Sequence, residues 1–278
     1  VAKKAATKKS MAATKAPAKK PTSAAGGGAK QRIPKGAAAP GTWTLTKAMA
    51  ALKALGTAQT RKTWGRHGAT GDVFGVKFGD LSKLRKQIGI DHALAKGLWD
   101  TGNFDARLLA AMIADGHAFT AAELDRWAAS VESYFLGGSV GDVVARCPYP
   151  VAQAAVDRWV GSPREFLCRC GWSAVCSMLR DGVPMPPAKL RTYLRMIEDR
   201  IGEAPNRARE GMNLALICIG SYGDAEMATM ALAAAKRIGP VKIDHGDTAC
   251  KDFNALTEIP KARAHRAKMA AKQKAAAR

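Results

Sequence analysis

The two ends of the sequence lack acidic residues. Residues 1–40 contain ten lysines and arginines, residues 259–278 contain seven, and neither range has an aspartate or glutamate. The formal net charge of the chain is +21, so only +4 remains for residues 41–258. Ends of this kind favour a polyanionic partner, because each phosphate that they neutralise releases counterions. We therefore predict that the partner is nucleic acid; the alternative is a pair of tails that only keep the protein soluble.

The sequence also lacks paired cysteines and long apolar runs. Its six cysteines include no C-x-x-C pair, and four of them lie in apolar stretches. This pattern indicates reduced, buried thiols in an intracellular protein and excludes the common zinc and disulfide frameworks. No run approaches the roughly 18 uncharged residues that a membrane span needs. We expect a cytoplasmic, nucleoid-associated protein without a membrane segment; a basic transit peptide remains open.

The composition divides the chain into three parts. Residues 1–40 are rich in Ala, Lys, Pro and Gly and lack the large apolar side chains that offset chain entropy, so we predict a disordered basic tail. Residues 41–255 read as a folded domain. Residues 256–278 read as a basic C-terminal tail, which could form a marginal helix that an anion stabilises.

Strand signals are nearly absent from the middle part, where only FGVKF (74–78) and PVKI (240–243) look extended. Capping residues and glycines instead recur at short intervals, including a capping box formed by Thr120 and Glu123. The pattern predicts a succession of helices, at 80–89, 91–102, 103–116, 120–138, 139–147, 150–160, 162–181, 186–202, 205–221 and 223–238. The fold class is therefore all-α.

Three of these helices carry an arginine followed by small apolar residues. The arginines are Arg107, Arg169 and Arg209, which lie 62 and 40 residues apart. The second interval is typical of a helical-hairpin repeat of roughly 40–47 residues, and the first requires an extra helix. We predict a HEAT-like α-solenoid, with a compact irregular helical bundle as the alternative. Stacked hairpins would present a continuous concave surface that suits a duplex.

Two charged residues are candidates for a site. On a helical wheel, Glu132 falls beside the apolar stripe that contains Trp127 and Tyr134, so it is either a solvated flanking residue or a functional carboxylate. Arg169 lies within an apolar helix and should reach a carboxylate, backbone oxygens or a phosphate, because a buried, unpaired arginine is costly. Asn213 is the polar exception in another apolar helix, with a structural role as plausible as a functional one.

Several ordered segments together resemble the AlkD-like DNA alkylation repair proteins. They are FGVKFGDLSKLRKQIG, LAKGLWDTGNFDARLLAAMIAD, SVES, EFLCRCGWS and VKIDHGDTACKD, and they cover roughly residues 70–255. The resemblance implies a HEAT-like solenoid that cups duplex DNA. It also implies excision of positively charged N3- or N7-alkylated purines by hydrolysis of the glycosidic bond, without base flipping, metal or cofactor.

The resemblance also assigns residues. The family's catalytic aspartate falls on Glu132 and its active-site arginine on Arg169. Two aromatic positions that hold the lesion nucleotide depart from the family, because they fall on Ala128 and Asn213. Trp127 is adjacent to Ala128, and Tyr134 or Trp172 would substitute for the missing aromatics. Trp127, Tyr134, Trp172 and Asn213 are therefore the DNA contacts that we expect at this site. Four further residues form a basic cluster that either contacts phosphate or is a solvated face: Lys77, Lys83, Arg85 and Lys86.

Two functions from different classes follow. The first is a monomeric DNA glycosylase for alkylated duplex DNA, in which Glu132 stabilises the oxocarbenium-like sugar or orients water and Arg169 holds the backbone phosphate. The second is a non-catalytic HEAT-like module that binds duplex or branched DNA by shape and charge. A protein-binding scaffold is a third reading, which leaves the cationic ends unexplained. DHGDTAC (244–250) matches no standard zinc spacing and is predicted to be a turn.

Overall fold

The computed structural model describes residues 43–276. The predicted disordered tail, residues 1–40, lies outside them. The described residues form α-helices and one short 3-10 helix and contain no strand. The helices are α1 (Leu45–Leu55), α2 (Ala58–Arg66), α3 (Phe78–Ile88), α4 (His92–Asp100), α5 (Phe104–Ile113), the 3-10 helix (Gly116–Ala118), α6 (Ala121–Ala129), α7 (Tyr134–Val144), α8 (Tyr149–Trp159), α9 (Glu165–Arg180), α10 (Pro187–Arg200), α11 (Asn206–Tyr222), α12 (Ala225–Ile238) and α13 (Ala255–Ala276).

From α4 onward the helices form two layers. The first layer is the row α5, α7, α9, α11 and α13, in which each helix packs against the next. The second layer is α4, α6, α8, α10 and α12, and each of these helices packs against the first-layer helix that follows it in the chain. Because each hairpin contacts mainly its neighbours, the prediction of an all-α, HEAT-like solenoid is confirmed and the irregular bundle is not what forms.

Side-chain caps fix where many of the helices begin. Seven α-helices start after a residue whose side-chain oxygen accepts a hydrogen bond from a backbone N–H of the first turn; these residues are Thr44, Thr57, Asp91, Asn103, Thr120, Ser133 and Asp224. The capping box of Thr120 and Glu123 is present as predicted. Helices α8 and α10 begin with proline at their first turn instead.

The predicted helix 120–138 is wrong, because the chain folds there into two helices. Helix α6 ends at Ala129, and α7 begins at Tyr134 and continues into the predicted helix 139–147. Ser130 terminates α6, and Ser133 caps α7 by accepting a hydrogen bond from the N–H of Leu136 at 3.3 Å. The helical wheel for Glu132 therefore described a helix that does not exist.

The two segments expected to be extended are loops, apart from the last residue of 74–78, which begins α3. The loop before α3 is held by the buried carboxylate of Asp105 on α5, which accepts hydrogen bonds from three consecutive backbone N–H groups at 2.7–3.0 Å. Gly75 in this loop has φ +83°, and a Cβ there would lie 2.5 Å from the backbone nitrogen of Arg61. The start of α3 is therefore fixed relative to α5.

The predicted boundary between domain and tail falls at the start of a helix. Ala255 and Ile259 of α13 are buried, so the first turns of this helix belong to the packed domain. Within residues 43–276, the membrane-span criterion of length and apolar character is met by none of the helices.

Candidate nucleic-acid interface

The loop between α6 and α7 presents Glu132 at the surface. Trp99 Nε1 donates to Ser130 Oγ at 3.1 Å, and Arg107 Nη1 donates to the Ser130 carbonyl at 3.2 Å, so α4 and α5 hold the start of the loop. Val131 is buried beneath it. Glu132 follows as an exposed residue immediately before the Ser133 cap. The loop therefore points a carboxylate outward from the N-terminal end of α7.

Within the described range, Glu132 makes no ion pair of 4.0 Å or less. The charge of Glu132 acts on Arg107. Burial lowers the pKa of Arg107, and the charges of Glu132 and Asp100 partly oppose that shift. The Arg107 guanidinium is itself held over the Trp99 ring, 5.3 Å from its centroid. Glu132 thus remains available to a ligand in the field of a fixed cation.

Arg169 lies on α9 between two glycines of the neighbouring first-layer helices. A Cβ on Gly137 of α7 would lie 3.2 Å from Arg169 Cγ, and a Cβ on Gly211 of α11 would lie 3.2 Å from Arg169 Cδ. The side chain is only 6% exposed. Its Nε atom is buried and has no hydrogen-bond partner among residues 43–276. The two glycines therefore leave room for the stem of Arg169, whose Nε atom has no partner in the described part of the protein.

The equivalent arginines of the other repeats differ from Arg169. Arg107 donates to the carbonyls of Trp99 and Ser130, each at 3.2 Å. Arg209 donates to the carbonyls of Ala204 at 2.8 Å and Lys242 at 3.3 Å. These two arginines therefore join structural segments, whereas Arg169 lacks such partners in the described chain.

Tyr134, at the first position of α7, is enclosed by groups from distant parts of the chain. Its hydroxyl shares a 2.7 Å hydrogen bond with Nδ1 of His67, which follows α2. The guanidinium carbon of Arg207, on α11, lies 4.5 Å from the centre of the tyrosine ring. Phe135 stacks on the ring with 4.4 Å between centroids. Tyr134 is therefore a half-buried anchor that links α2, α7 and α11.

The pKa values of Tyr134 and His67, at the centre of this cluster, both favour the uncharged side chain. Burial first, with smaller contributions from Cys250 and Glu210, raises the pKa of Tyr134 to about 12 against the opposing charges of Arg207 and Arg169. Burial, followed by the charges of Arg66 and Arg207, lowers the pKa of His67. A neutral phenol and a neutral imidazole therefore share their hydrogen bond near pH 7.

Sequence reasoning missed His67 and Arg207. Arg207 forms a 3.2 Å ion pair with Glu210, and its backbone N–H donates to Glu165 at 2.5 Å, so the start of α11 is tied to the start of α9. His67 is 67 residues from Tyr134 in the sequence. For Arg207, the available signal in the sequence was its position in the first turn of a predicted helix.

The structure brings some of the predicted site residues together. Arg169 is close enough to Tyr134 to oppose the rise of its pKa, and Glu132 is two residues before Tyr134. The Arg169 side chain passes Gly137, one turn into α7. Tyr134 and Arg169 therefore lie within about one turn of the N-terminal end of α7, with the loop that carries Glu132 adjoining them.

Two predicted DNA contacts are instead core residues. Trp127 is fully buried and stacks on Trp99 with 4.1 Å between centroids and 3° between planes. Trp172 is also fully buried and meets the edge of Tyr193 at 5.8 Å. Neither indole reaches the surface, because each fills the space between two repeats. The structure therefore offers no support for the predicted contact of Trp127 or Trp172 with DNA.

Asn213 also has a structural role. It is 3% exposed, and its Nδ2 donates to the carbonyl of Phe253 at 2.8 Å. This bond ties the segment before α13 to α11. The structure therefore shows the alternative of an asparagine satisfied by backbone, and it offers no support for a contact of Asn213 with DNA.

The predicted basic cluster is exposed but spread along α3. Lys77 lies at the N-terminal end, next to Phe78, whose ring is 5.9 Å from that of Phe135. Lys83 pairs with Asp80 at 2.8 Å. Arg85 and Lys86 lie in the last turn of the helix. Of these four basic residues, only Lys77 is therefore near Tyr134 and Phe135.

DHGDTAC lies in the loop between α12 and α13. His245 Nε2 is 3.2 Å from Asp252, which also accepts a hydrogen bond from the backbone of Ile243 at 3.1 Å. In the described range there is no group of three or more His, Cys, Asp or Glu side chains arranged to hold a metal ion.

The chain is similar to known proteins over most of its length. The family model described as "DNA alkylation repair enzyme" matches residues 48–246. Uncharacterized protein Lmo0209 of Listeria monocytogenes is 27% identical over 216 residues, which are 76% of this chain and 94% of that protein. Uncharacterized protein Lin0241 of Listeria innocua is 26% identical over the same shares of the two chains.

One solved structure has the same fold, with a TM-score of 0.71 and 29% sequence identity over 79% of this chain and 93% of the other. It is described as "A new family of proteins related to the HEAT-like repeat DNA glycosylases with affinity for branched DNA structures". The family match covers well over half of the sequence and includes every helix from α2 to α12. The chain therefore belongs to the DNA alkylation repair enzyme family and has its HEAT-like helical fold.

Proposed function

We propose that the protein binds DNA at the N-terminal ends of its first-layer helices, with Arg169 as a ligand of a backbone phosphate. The observation that carries this proposal is the Nε atom of Arg169, which is buried without a hydrogen-bond partner. Among residues 43–276 this atom meets neither a carboxylate nor a backbone oxygen, so a phosphate is the partner left of the three that such a group can have. A phosphate would supply charge-assisted hydrogen bonds and remove the cost of the buried cation.

Glu132 supports a chemical role beside this phosphate. We propose that the protein excises N3- or N7-alkylated purines, whose positive charge makes them good leaving groups. The bond between C1′ and the purine nitrogen breaks, its electron pair leaves with the base, and water adds to C1′ while a proton is released. The Glu132 carboxylate is exposed and unpaired within the described chain, so it can stabilise the cationic sugar or accept the proton.

A second candidate is binding of branched DNA without chemistry. Trp127 and Trp172 are buried, and Arg207 lies over the ring of Tyr134, so the groups expected to grip a lesion nucleotide are occupied within the fold. A solved structure of similar fold is described as having affinity for branched DNA. In this case Arg169 would still hold a phosphate, and Glu132 would have no catalytic role.

One assay distinguishes the two candidates. Release of 3-methyladenine and 7-methylguanine from methylated duplex DNA is measured for the wild type and for Glu132→Gln. Glu226→Gln is the matched control, because this glutamate is exposed on α12 in the second layer. Release that is lost only in Glu132→Gln supports excision. Binding that prefers a four-way junction to a linear duplex, without base release, supports the second candidate. Release that persists in Glu132→Gln contradicts the assigned carboxylate.

A further inference from the structure

The last helix, α13, lies outside the family match and is docked through only part of its length. The match ends at residue 246, and α13 spans Ala255–Ala276. Ala255 and Ile259 are buried, and a Cβ on Gly220 of α11 would lie 2.6 Å from Ile259 Cδ1. From Ala264 to Ala276 every residue is exposed. Apolar packing therefore holds the first turns of α13 but not the remainder.

Two arginines continue the docking beyond the apolar turns. Arg263 Nη1 donates to the carbonyls of Gly220 and Gly223 at 3.1 and 2.9 Å. Arg266 donates to the Ser221 carbonyl, and its guanidinium lies 4.7 Å from the centre of the Tyr222 ring. These carbonyls are at the C-terminal end of α11, where cations are favourable. Arg263 and Arg266 therefore stabilise the packing of α13 against α11.

Three lysines and one histidine of α13 lie on the opposite face, whereas Lys274 lies on the docked side. Lys261, His265, Lys268 and Lys272 are separated by four, three and four residues, so they form one stripe, about 16 Å long, on the side turned away from Ile259 and the two docking arginines. We call these four residues the α13 stripe. All are exposed, and only Lys261 has a carboxylate partner, Glu258 at 3.2 Å. No acidic residue follows Glu258 in the sequence.

We propose that the α13 stripe is a second DNA-binding surface, which contacts the phosphate backbone outside the Tyr134 and Arg169 site. This inference rests on the proposed function in taking DNA as the partner. Duplex DNA carries one negative charge per roughly 1.7 Å of axis, so a stripe of this length spans many phosphates. The neighbouring cations Lys268 and Lys272 repel each other across one helical turn, and phosphates would relieve that repulsion.

The composition of the stripe favours DNA over a lipid surface. A helix that lies on a membrane needs an apolar face opposite its charges. Beyond Ile259, the only large apolar side chain of α13 within the described residues is Met269. The face opposite the stripe instead carries the docking arginines, Lys274 and alanines.

The α13 stripe lies towards the C-terminal ends of the first-layer helices, and the Tyr134 site lies at their N-terminal ends. Helix α13 runs in the same direction as α11, since Phe253 contacts Asn213 near the middle of α11 and Arg266 contacts Tyr222 at its end. Tyr134 and Arg207 instead lie at the N-terminal ends of α7 and α11. Helix α11 has 17 residues, which correspond to about 25 Å. The two surfaces would therefore hold different stretches of backbone.

The test uses the full chain and the double variant Lys268→Gln/Lys272→Gln. The matched control is Lys53→Gln/Lys236→Gln, which removes the same charge from exposed lysines on α1 and α12. Glutamine has a helix propensity similar to that of lysine, and circular dichroism checks that helicity is kept. Binding to an unmodified 20-base-pair duplex is measured as a function of salt concentration.

The expected result is weaker binding by the stripe variant and a slope of log K against log salt that is shallower by about 1.8, with the control unchanged. Equal slopes for the stripe variant and the control would overturn the inference, and weakened binding by Arg169→Met would then still support the proposed function. Weakened binding by the stripe variant beside unchanged binding by Arg169→Met would support the stripe and contradict the proposed phosphate ligand. A wild type that binds anionic vesicles but no DNA would overturn both.

Discussion

Replacement of Arg169 by methionine should stabilise the protein while weakening its binding to DNA. Methionine keeps an unbranched stem that can lie between Gly137 and Gly211, but it removes the guanidinium and its buried Nε. A buried polar group without a partner costs about 1–3 kcal/mol. For a helical domain of this size, each kcal/mol corresponds to roughly 2–4 °C in Tm. We therefore expect the Tm of Arg169→Met to rise by about 2–12 °C in the absence of DNA.

The same substitution should reduce the affinity for DNA. A hydrogen bond to a charged group contributes about 1.5–3 kcal/mol, which corresponds to a loss of roughly 10- to 150-fold. The salt slope should become shallower by about 0.9, because one phosphate contact is removed. Thermal unfolding without DNA and fluorescence anisotropy with a labelled duplex measure the two effects.

Arg107→Met is the matched control, since Arg107 occupies the equivalent position in an earlier repeat. Its guanidinium donates to two backbone carbonyls, so the variant should lose about 1–3 kcal/mol of stability. Opposite signs for the two variants would show that Arg169, unlike Arg107, lacks a partner in the free protein. The reasoning fails if Arg169→Met is less stable than the wild type, because Arg169 would then be satisfied within the fold.

Three smaller predictions concern the support of the site. Gly137→Ala should weaken DNA binding by displacing Arg169, while Gly138→Ala, with nothing within 4 Å of its Cβ, should leave binding unchanged; the two affinities are compared directly. Glu123 has its pKa lowered from 4.5 to about 2, chiefly by its lysine partner on α4, so its contribution to stability is present above pH 4.5 and lost as the pH falls towards 2; Glu123→Gln should flatten that part of a pH-dependent unfolding curve. Asp105→Asn should destabilise the protein by about 1–3 kcal/mol in urea unfolding, because one of the carboxylate oxygens that bind three backbone N–H groups is lost.

The sequence predicts the helices and their stacking because both depend on local signals. Capping residues mark the starts of helices, and the arginines of successive repeats record the hairpin period. The junction between α6 and α7 was missed because its apolar pattern continues across it. Trp127, Val131 and Tyr134 keep helical spacing while the chain leaves the helix at Ser130. The two serines of Ser-Val-Glu-Ser were the available signal, since each is a good capping residue.

The candidate site depends mainly on long-range packing, which one sequence does not reveal. Arg169 could be identified because a single charge in an apolar helix must be buried at a cost. The stacking of Trp127 on Trp99 of the preceding repeat could not, although Trp127 lies in the apolar stripe that the sequence predicts. The contact of His67 with Tyr134 joins residues 67 positions apart. Trp127 and Trp172 were proposed as DNA contacts through the family resemblance, although both form the core.

The protein carries two kinds of positive charge, and they should respond differently to salt. Arg169 is buried between helices that pack closely, so its position is fixed, and it contributes one phosphate contact to the salt slope against at least two from the α13 stripe. The α13 stripe is exposed, so its attraction is screened within about 10 Å at 0.1 M salt. Raising the salt concentration should therefore remove the contribution of the stripe first and leave the preference set by the Arg169 site. Discrimination between damaged or branched DNA and plain duplex should consequently increase with salt while total affinity falls. A discrimination that falls in parallel with affinity would mean that the exposed cations, and not the buried one, select the substrate.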